Sequence, residues 1–267
     1  MKIRTQSKLR WLTTAFLALG MGASVQAAEL GQNDGLNGTL WLQSSVEFKA
    51  NALAIYRLGG LMLDAALADK SWTAAPNEQK GDFGAKPPAV ILDVDETVLD
   101  NSVYQAWIVT ANSYYSSKTW GPFVNDVLSR PIPGSLAFIK AAAAKGVKIF
   151  YVTNRKAPLE EATRKNLIKF GYPVDTSEDT VLTRGEIEAW KSSKKSPRRA
   201  HVAANYRVLM VFGDNFGDFV DGYKGSVAER QALYEKHSDL WGSKWFMLAN
   251  PSYGSWESAA FGHNWRK

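Results

Sequence analysis

The sequence predicts an α/β fold, a parallel β-sheet flanked by helices. Three observations carry that reading. Residues 89–92, 148–152 and 207–212 are short, mostly apolar runs, each closed by polar residues, and 245–248 is a fourth candidate. Strands buried on both faces of a parallel sheet read this way, because neither face meets water. Helical patterns lie between the runs, as the crossover connections of such a sheet require.

Along the chain, residues 1–27 are unlike the rest. Lys2, Arg4, Lys8 and Arg10 precede an apolar run over 11–23, and Val25-Gln26-Ala27 offers a small-x-small cleavage site. This is the order of a secretory signal peptide, with the cut expected between Ala27 and Ala28. The run is short for a bilayer span. Residues 28–88 are expected to form an N-terminal helical extension and linker. Within them, 40–69 reads as one long helix with Gly59-Gly60 as a break. One apolar stripe runs through Leu42, Val46, Ala50, Leu53, Leu61 and Ala65, a second through Phe48, Ala52, Ile55, Met62 and Ala66. An apolar arc that wide predicts a mostly buried helix. Residues 70–88 carry Pro76, Gly81, Gly84, Pro87 and Pro88 and read as linker. The core is expected over 89–267. In it, a helix from Ser135 to Lys145 follows Pro133-Gly134 and stops at Gly146. Another, from Pro158 to Phe170, begins with proline in its first turn and stops at Gly171.

The chain has 32 Lys and Arg against 26 Asp and Glu, a net charge of +6. Removing residues 1–27, with four bases and no acids, leaves 28 against 26, a net charge of +2. The basic balance therefore resides largely in the leader and argues poorly for a nucleic-acid partner. There is no cysteine, which excludes disulfides, thiolate metal sites and a cysteine nucleophile. An exported chain without disulfides fits the bacterial periplasm. His201, His237 and His263 show no metal-ligand spacing.

In open parallel sheets, ligands bind beyond the carboxyl ends of the strands. Here those ends carry Asp93 and Asp95, then Thr153 and Asn154, then Asp214 and Asp218. Asp93 and Asp95 are two residues apart, so continued extended geometry would project both to one side. Asp93 can attack phosphorus and form an aspartyl-phosphate, while Asp95 can protonate the leaving oxygen and then activate water. Four acids beside a phosphate repel it and one another. A hard divalent cation such as Mg²⁺ (magnesium) resolves that conflict, given oxygen donors with no Cys or His nearby. Thr153 and Asn154 offer a hydroxyl, backbone N–H groups and an amide to phosphate oxygens. A balancing cation could come from the run Lys191, Lys194, Lys195, Arg198, Arg199.

These segments resemble a known family. Asp93-Val94-Asp95-Glu96-Thr97-Val98 resembles the D-x-D-x-T-[VL] first motif of the haloacid dehalogenase superfamily. With Leu99-Asp100-Asn101-Ser102 it looks like the class C, bacterial non-specific acid phosphatases of the DDDD type. Tyr151-Val152-Thr153-Asn154-Arg155, Lys195-Ser196-Pro197-Arg198-Arg199 and Gly213-Asp214-Asn215-Phe216-Gly217-Asp218-Phe219 resemble the later motifs. The segment Tyr253-Gly254-Ser255-Trp256-Glu257 is also similar, so the likeness covers about residues 40–262. It implies a haloacid-dehalogenase-like Rossmannoid sheet with a small cap inserted at about 98–133. It implies Asp93 as nucleophile and metal ligand, and Asp95 as general acid/base binding metal through its carbonyl. It further implies Asp214 as metal ligand, Asp218 in support, Thr153, Asn154 and Lys195 at the phosphate, and Mg²⁺ as cofactor. Two departures stand out: the lipid-bearing cysteine of many relatives is absent, and Gly217 replaces an acid found in some.

The expected activity is periplasmic or secreted phosphomonoester hydrolysis, including nucleoside 5′-monophosphates. Trp107 in the cap and Tyr253 after the last strand are candidates to stack on a substrate ring, while Tyr114, Tyr115 and Trp120 read as packing groups. Expected partners are small phosphomonoesters, with no nucleic-acid polymer and no membrane after cleavage; a homodimer is left open. The alternative is a non-catalytic periplasmic ligand-binding or storage protein on the same fold. Dehalogenation fits poorly, because it has no need of Asp95.

Overall fold

A computed structural model describes residues 34–260. The expected signal segment, residues 1–27, lies outside them, as do residues 28–33 and 261–267.

The chain begins with α1 (Leu36–Ser44) and α2 (Val46–Ala68). The expected single helix is thus divided, and at Ser45 rather than at Gly59-Gly60. Ser45 is extended, and its side chain accepts the Phe48 N–H at 3.0 Å. It satisfies one of the orphan donors that every helix start leaves. Gly59 stays helical because its bare face lets the Phe212 ring approach: a Cβ there would lie 2.6 Å from Phe212 Cζ. Only one side of α2 is buried, through Phe48, Ala52, Tyr56, Gly59, Leu63 and Ala66. Val46 and Leu61, expected on a buried stripe, are 69% and 79% exposed. Buried Arg207 donates to the carbonyls of Ala66 (3.0 Å) and Leu67 (3.1 Å), and to that of Asp69. It closes the helix C-terminus, where carbonyls lack helical partners.

Residues 70–87 contain no helix or strand, yet they are fastened down. Trp72 donates to the Leu209 carbonyl at 2.8 Å. Buried Gln79 bonds the carbonyls of Ala203 and Tyr206 and the N–H of Val208, as a buried amide must.

Next come β1 (Pro88–Leu92), β2 (Leu99–Asp100), α3 (Ser102–Thr110), α4 (Ser117–Asn125), β3 (Arg130–Pro131) and α5 (Ser135–Ala144). They are followed by β4 (Lys148–Lys156), α6 (Glu160–Lys169), β5 (Val181–Arg184), α7 (Ser196–Asn205) and β6 (Arg207–Gly213). The described chain ends with α8 (Val227–Lys236), β7 (Trp245–Met247) and α9 (Ser255–Ala260).

The five long-range strands form one parallel sheet in the order β5-β4-β1-β6-β7. The four expected runs are all in it. The short strand β5 was not expected, because 181–184 gives only two purely apolar residues. Alternate residues of each strand feed two cores. Val90 and Leu92 join Phe212, Phe138 and α2 on one face; Ala89 and Ile91 join Val211, Val202 and Trp245 on the other. This two-sided burial is why the runs are continuously apolar. Antiparallel β2 and β3 close an insertion that carries α3 and α4. Its Tyr104, Trp120, Phe123 and Val124 form a small core that packs on Ala162 of α6.

Candidate active site

All five strands run the same way, so their carboxyl ends share one edge. Asp93 follows β1, and its N–H still bonds the Phe212 carbonyl at 2.9 Å. The chain then turns over 94–98, with Leu99 N–H closing on the Val94 carbonyl at 2.8 Å. The buried Tyr56 hydroxyl holds this turn from behind, donating to the Thr97 carbonyl at 2.7 Å. Glu96 sits in it at φ 54°, a left-handed conformation costly for a residue with a Cβ.

On the neighbouring strand, Asp214 follows β6. Asn215 and Asp218 form a reciprocal cap on the short turn after it, with the Asn215 N–H on Asp218 Oδ2 at 2.9 Å. Gly213 makes this possible, since a Cβ there would lie 2.3 Å from Asp218 Oδ2. Carboxylate oxygens of Asp93, Asp214 and Asp218 lie within 4.8 Å of one another. The Lys195 ammonium enters from the loop before α7. It pairs with Asp93 and, at 2.6 Å, with Asp218 Oδ1. Of the basic run, Lys195 is therefore the residue that reaches Asp93. Lys191 instead pairs with Glu188 at 2.5 Å.

Burial pushes the Asp93 carboxyl up to about 7; Lys195 opposes the rise, and Asp218 and Asp95 add to it. Asp214 is raised well above its ordinary value, by burial first and then by Asp93 and Asp218. Two buried carboxylates and a half-buried one, with one ammonium, are short of positive charge. A hard divalent cation fits this donor set, because it would supply that charge to oxygen ligands.

Asp95 does not share these contacts. Its Oδ1 accepts Arg155 Nε and Asn101 Nδ2, each at 2.9 Å, and the Thr153 hydroxyl lies 3.5 Å from Oδ2. The two motif carboxylates thus face different partners, which the turn after Asp93 makes possible. Arg155 is buried and also reaches Thr163, Asn101 and Ser129. Its guanidinium lies 5.5 Å from the Trp120 ring centroid. Motif reading included Arg155 but gave it no role.

The Asn154 side chain is engaged within the protein. It donates to the Ser193 carbonyl at 3.1 Å and accepts from Arg198 at 2.7 Å. Arg198 also donates to the Thr153 carbonyl, so it ties the end of β4 to the Lys195 loop. Arg199 pairs with Glu78 at 2.6 Å and donates to the Asp218 carbonyl at 2.8 Å. Both arginines are buried, so this part of the basic run is internal bracing.

Tyr253 donates to the Glu96 carboxylate, which also accepts the Asn101 N–H at 2.8 Å. Asn250 donates to Asp214 Oδ2 at 2.8 Å. Neither Glu96 nor Asn250 was singled out from sequence; nothing local marks a residue whose partner is more than thirty positions away. Trp107 is half-exposed on α3 and stacks on Tyr104 with centroids 5.9 Å apart. Trp120 is in the small core, as expected. Tyr114 and Tyr115 are 86% and 61% exposed, against the expected packing role; among the described residues, only Tyr115 of the two has ring neighbours, Tyr104 and Trp120. Gly217 lies against the Tyr223 ring, where a Cβ would approach to 3.0 Å, so an acid would not fit there without displacing that ring.

The family described as HAD superfamily, subfamily IIIB (acid phosphatase) matches residues 61–256. Two solved structures of the class C acid phosphatase from Bacillus anthracis, one with tungstate bound, resemble this chain. Each shows 35% identity and a TM-score of 0.75, over 87% of this chain and 90% of that one. The stem 28 kDa glycoprotein of Glycine max is 23% identical over 166 residues, 61% of this chain and 58% of that protein. The chain thus spans less than two thirds of that curated relative.

Proposed function

We propose a function that starts from family membership: the chain belongs to the HAD superfamily, subfamily IIIB, the acid phosphatases. Its activity is hydrolysis of small phosphomonoesters, nucleoside 5′-monophosphates among them, with Mg²⁺ as cofactor. It acts in the periplasm or outside the cell after removal of residues 1–27. Among the described residues, no helix is long and apolar enough to cross a membrane. The observation that carries the reading is the close group of Asp93, Asp214 and Asp218 with Lys195 against Asp93, and Asp95 held apart on Arg155.

In this mechanism an Asp93 oxygen attacks the phosphorus, and the bond to the ester oxygen breaks. Protonated Asp95 gives its proton to the leaving oxygen, releasing the alcohol and an aspartyl-phosphate. Asp95, now ionised, takes a proton from water as the water oxygen attacks phosphorus. Inorganic phosphate leaves, and both carboxyl groups return to their starting states. Lys195 holds the nucleophile's charge in check while the dianion approaches. Asp93, Asp214, Asp218 and the Asp95 carbonyl would hold the metal. When bound, that ion offsets carboxylate charge and the charge on the transferring phosphoryl group.

The non-catalytic alternative has no supporting observation, since Asp93 and Asp95 are both in place. The test is phosphate release from p-nitrophenyl phosphate and nucleoside 5′-monophosphates at mildly acidic pH. Wild type should act with Mg²⁺ and stop with chelator, and Asp93→Asn should be inactive. No release by wild type would sink the activity; an active Asp93→Asn would sink the mechanism.

A further inference from the structure

Tyr253 comes to the site from the far side of the sheet. Strand β6 stands between β1 and β7, so the segment after β7 must cross the end of β6 to meet the turn after β1. That segment is pinned along its length. A Cβ on Gly38 of α1 would lie 2.6 Å from the Pro251 carbonyl oxygen, so helix and segment touch through their backbones. Asn250 donates to Asp214 at 2.8 Å, and the Ser255 hydroxyl donates to Asn215 Oδ1 at 2.7 Å. From this braced base the Tyr253 hydroxyl donates to the Glu96 carboxylate.

Glu96 is only 1% exposed, and among the described residues it forms no ion pair. A buried carboxylate without a cation depends on its hydrogen-bond donors. Those donors are Tyr253 and Asn101, the latter through its N–H at 2.8 Å and its Nδ2 at 3.4 Å. Glu96 also holds a left-handed backbone at φ 54° directly after Asp95. Such a conformation persists only where its surroundings fix it.

Asn101 carries the connection onward. Its Oδ1 accepts the Ser129 hydroxyl at 2.5 Å and Arg155 Nη2 at 3.3 Å, and its Nδ2 donates to Asp95 Oδ1 at 2.9 Å. The opposite amide orientation would set its oxygen against two carboxylates. An unbroken run of hydrogen bonds therefore leads from Tyr253 through Glu96 and Asn101 to Asp95.

We propose that Tyr253 is a positioning residue for Asp95, acting through Glu96 and Asn101. This rests on the phosphatase reading, in which Asp95 protonates the leaving oxygen. Without the hydroxyl, Glu96 keeps Asn101 alone, the turn loses a restraint, and Asp95 is aimed less well. An alkoxide leaving group needs that proton far more than a nitrophenolate does. Misaiming Asp95 thus slows alkyl esters selectively, whereas a general loosening of the fold slows both kinds alike.

The experiment compares kcat/KM for butyl phosphate and p-nitrophenyl phosphate with Mg²⁺, because kcat/KM reports the half-reaction that releases the alcohol. Tyr253→Phe keeps the ring and removes the hydroxyl. It should lower kcat/KM about tenfold for butyl phosphate and at most about twofold for p-nitrophenyl phosphate. In a Glu96→Ala background the same change should cost butyl phosphate at most about twofold, because the bond it removes is already gone. A further tenfold loss there would overturn the route through Glu96. Equal losses for both esters in Tyr253→Phe would overturn the role, as would no loss. A larger loss for p-nitrophenyl phosphate would overturn it in favour of a contact between Tyr253 and the substrate ring. No release from either ester by wild type would overturn the phosphatase reading and this role with it. Release that keeps its wild-type ester ratio in Tyr253→Phe would overturn the role alone.

Discussion

Arg155 holds Asp95 by one hydrogen bond and an ion pair, with Nε donating to Oδ1 at 2.9 Å and Nη2 also 2.9 Å from that oxygen. The guanidinium is in turn fixed by Thr163 and Asn101. Asp95 is therefore aimed by a side chain that is itself braced from the insertion and from α6. Lysine keeps the charge but lacks the planar fork. Under the proposed mechanism, in which Asp95 is the acid/base group, Arg155→Lys should lower kcat by about tenfold to a hundredfold, with a smaller change in KM, because misplacing such a group by about 1 Å costs that much. Steady-state kinetics on p-nitrophenyl phosphate checks it. An equal loss in Arg155→Lys and Arg155→Met, tracking a fall in melting temperature, would mean a packing role only.

Asn250 acts on the opposite side of the site. Its amide nitrogen donates to Asp214 Oδ2 at 2.8 Å, while its oxygen accepts the Ser252 N–H at 3.0 Å. The segment over 250–253 thus fixes the orientation of Asp214. Residues that orient metal ligands typically contribute about tenfold to a hundredfold in affinity. Asn250→Ala should weaken Mn²⁺ or Mg²⁺ binding to the purified protein within that range, read by calorimetry without substrate. Unchanged affinity would remove Asn250 from the site.

Away from the site, Lys148 joins Asp175 at 2.5 Å and Glu178 at 2.8 Å. Bonds from Lys148 and Ser177 hold Asp175 well below the usual carboxylate range. Burial opposes the shift at Glu178, but Lys148 and Tyr206 still lower it. Both folded values lie below the unfolded ones, so this stability is present above the unfolded carboxylate range, about 4. It is lost as pH falls through the folded values. Lys148→Met should melt earlier than wild type at pH 7, and the difference should shrink in acid. A gap that persists undiminished below about pH 3 would show that the Lys148 stem, not its charge, matters.

The residues of the site were legible because strand ends in a parallel sheet collect polar groups, and Asp93, Thr153 and Asp214 each close an apolar run. What was not legible is how those groups divide. The turn after Asp93 separates its partners from those of Asp95. The basic run offers Arg198 and Arg199 as balancing cations, yet they are buried struts, because their partners Thr153, Glu78 and Asp218 are distant in sequence. Burial along α2 was misread for a related reason. A stripe of apolar residues shows that a helix has a face to bury, but not which of two stripes the sheet will cover. Here Phe212 and Phe138 select the side of Tyr56 and Gly59.

Gly59 and Gly60 therefore give an unusually sharp contrast. Both lie inside α2, and sequence alone treats them as one break. A Cβ at Gly59 would meet Phe212 Cζ at 2.6 Å and Phe138 Cε2 at 3.3 Å, whereas at Gly60 nothing lies within 4 Å. Phe212 is stacked on Tyr56 and on Phe246, so its ring has little room to yield. Gly59→Ala should destabilise by about 1–3 kcal/mol, the usual range for overpacking a close-fitted core. Gly60→Ala should stabilise by about 0.5–1 kcal/mol, because alanine loses less backbone entropy in an exposed helix. Urea melts of the two variants decide the matter. Changes of the same sign would mean that α2 does break at this pair, and that the Tyr56 anchor on Thr97 is held by less than a continuous helix.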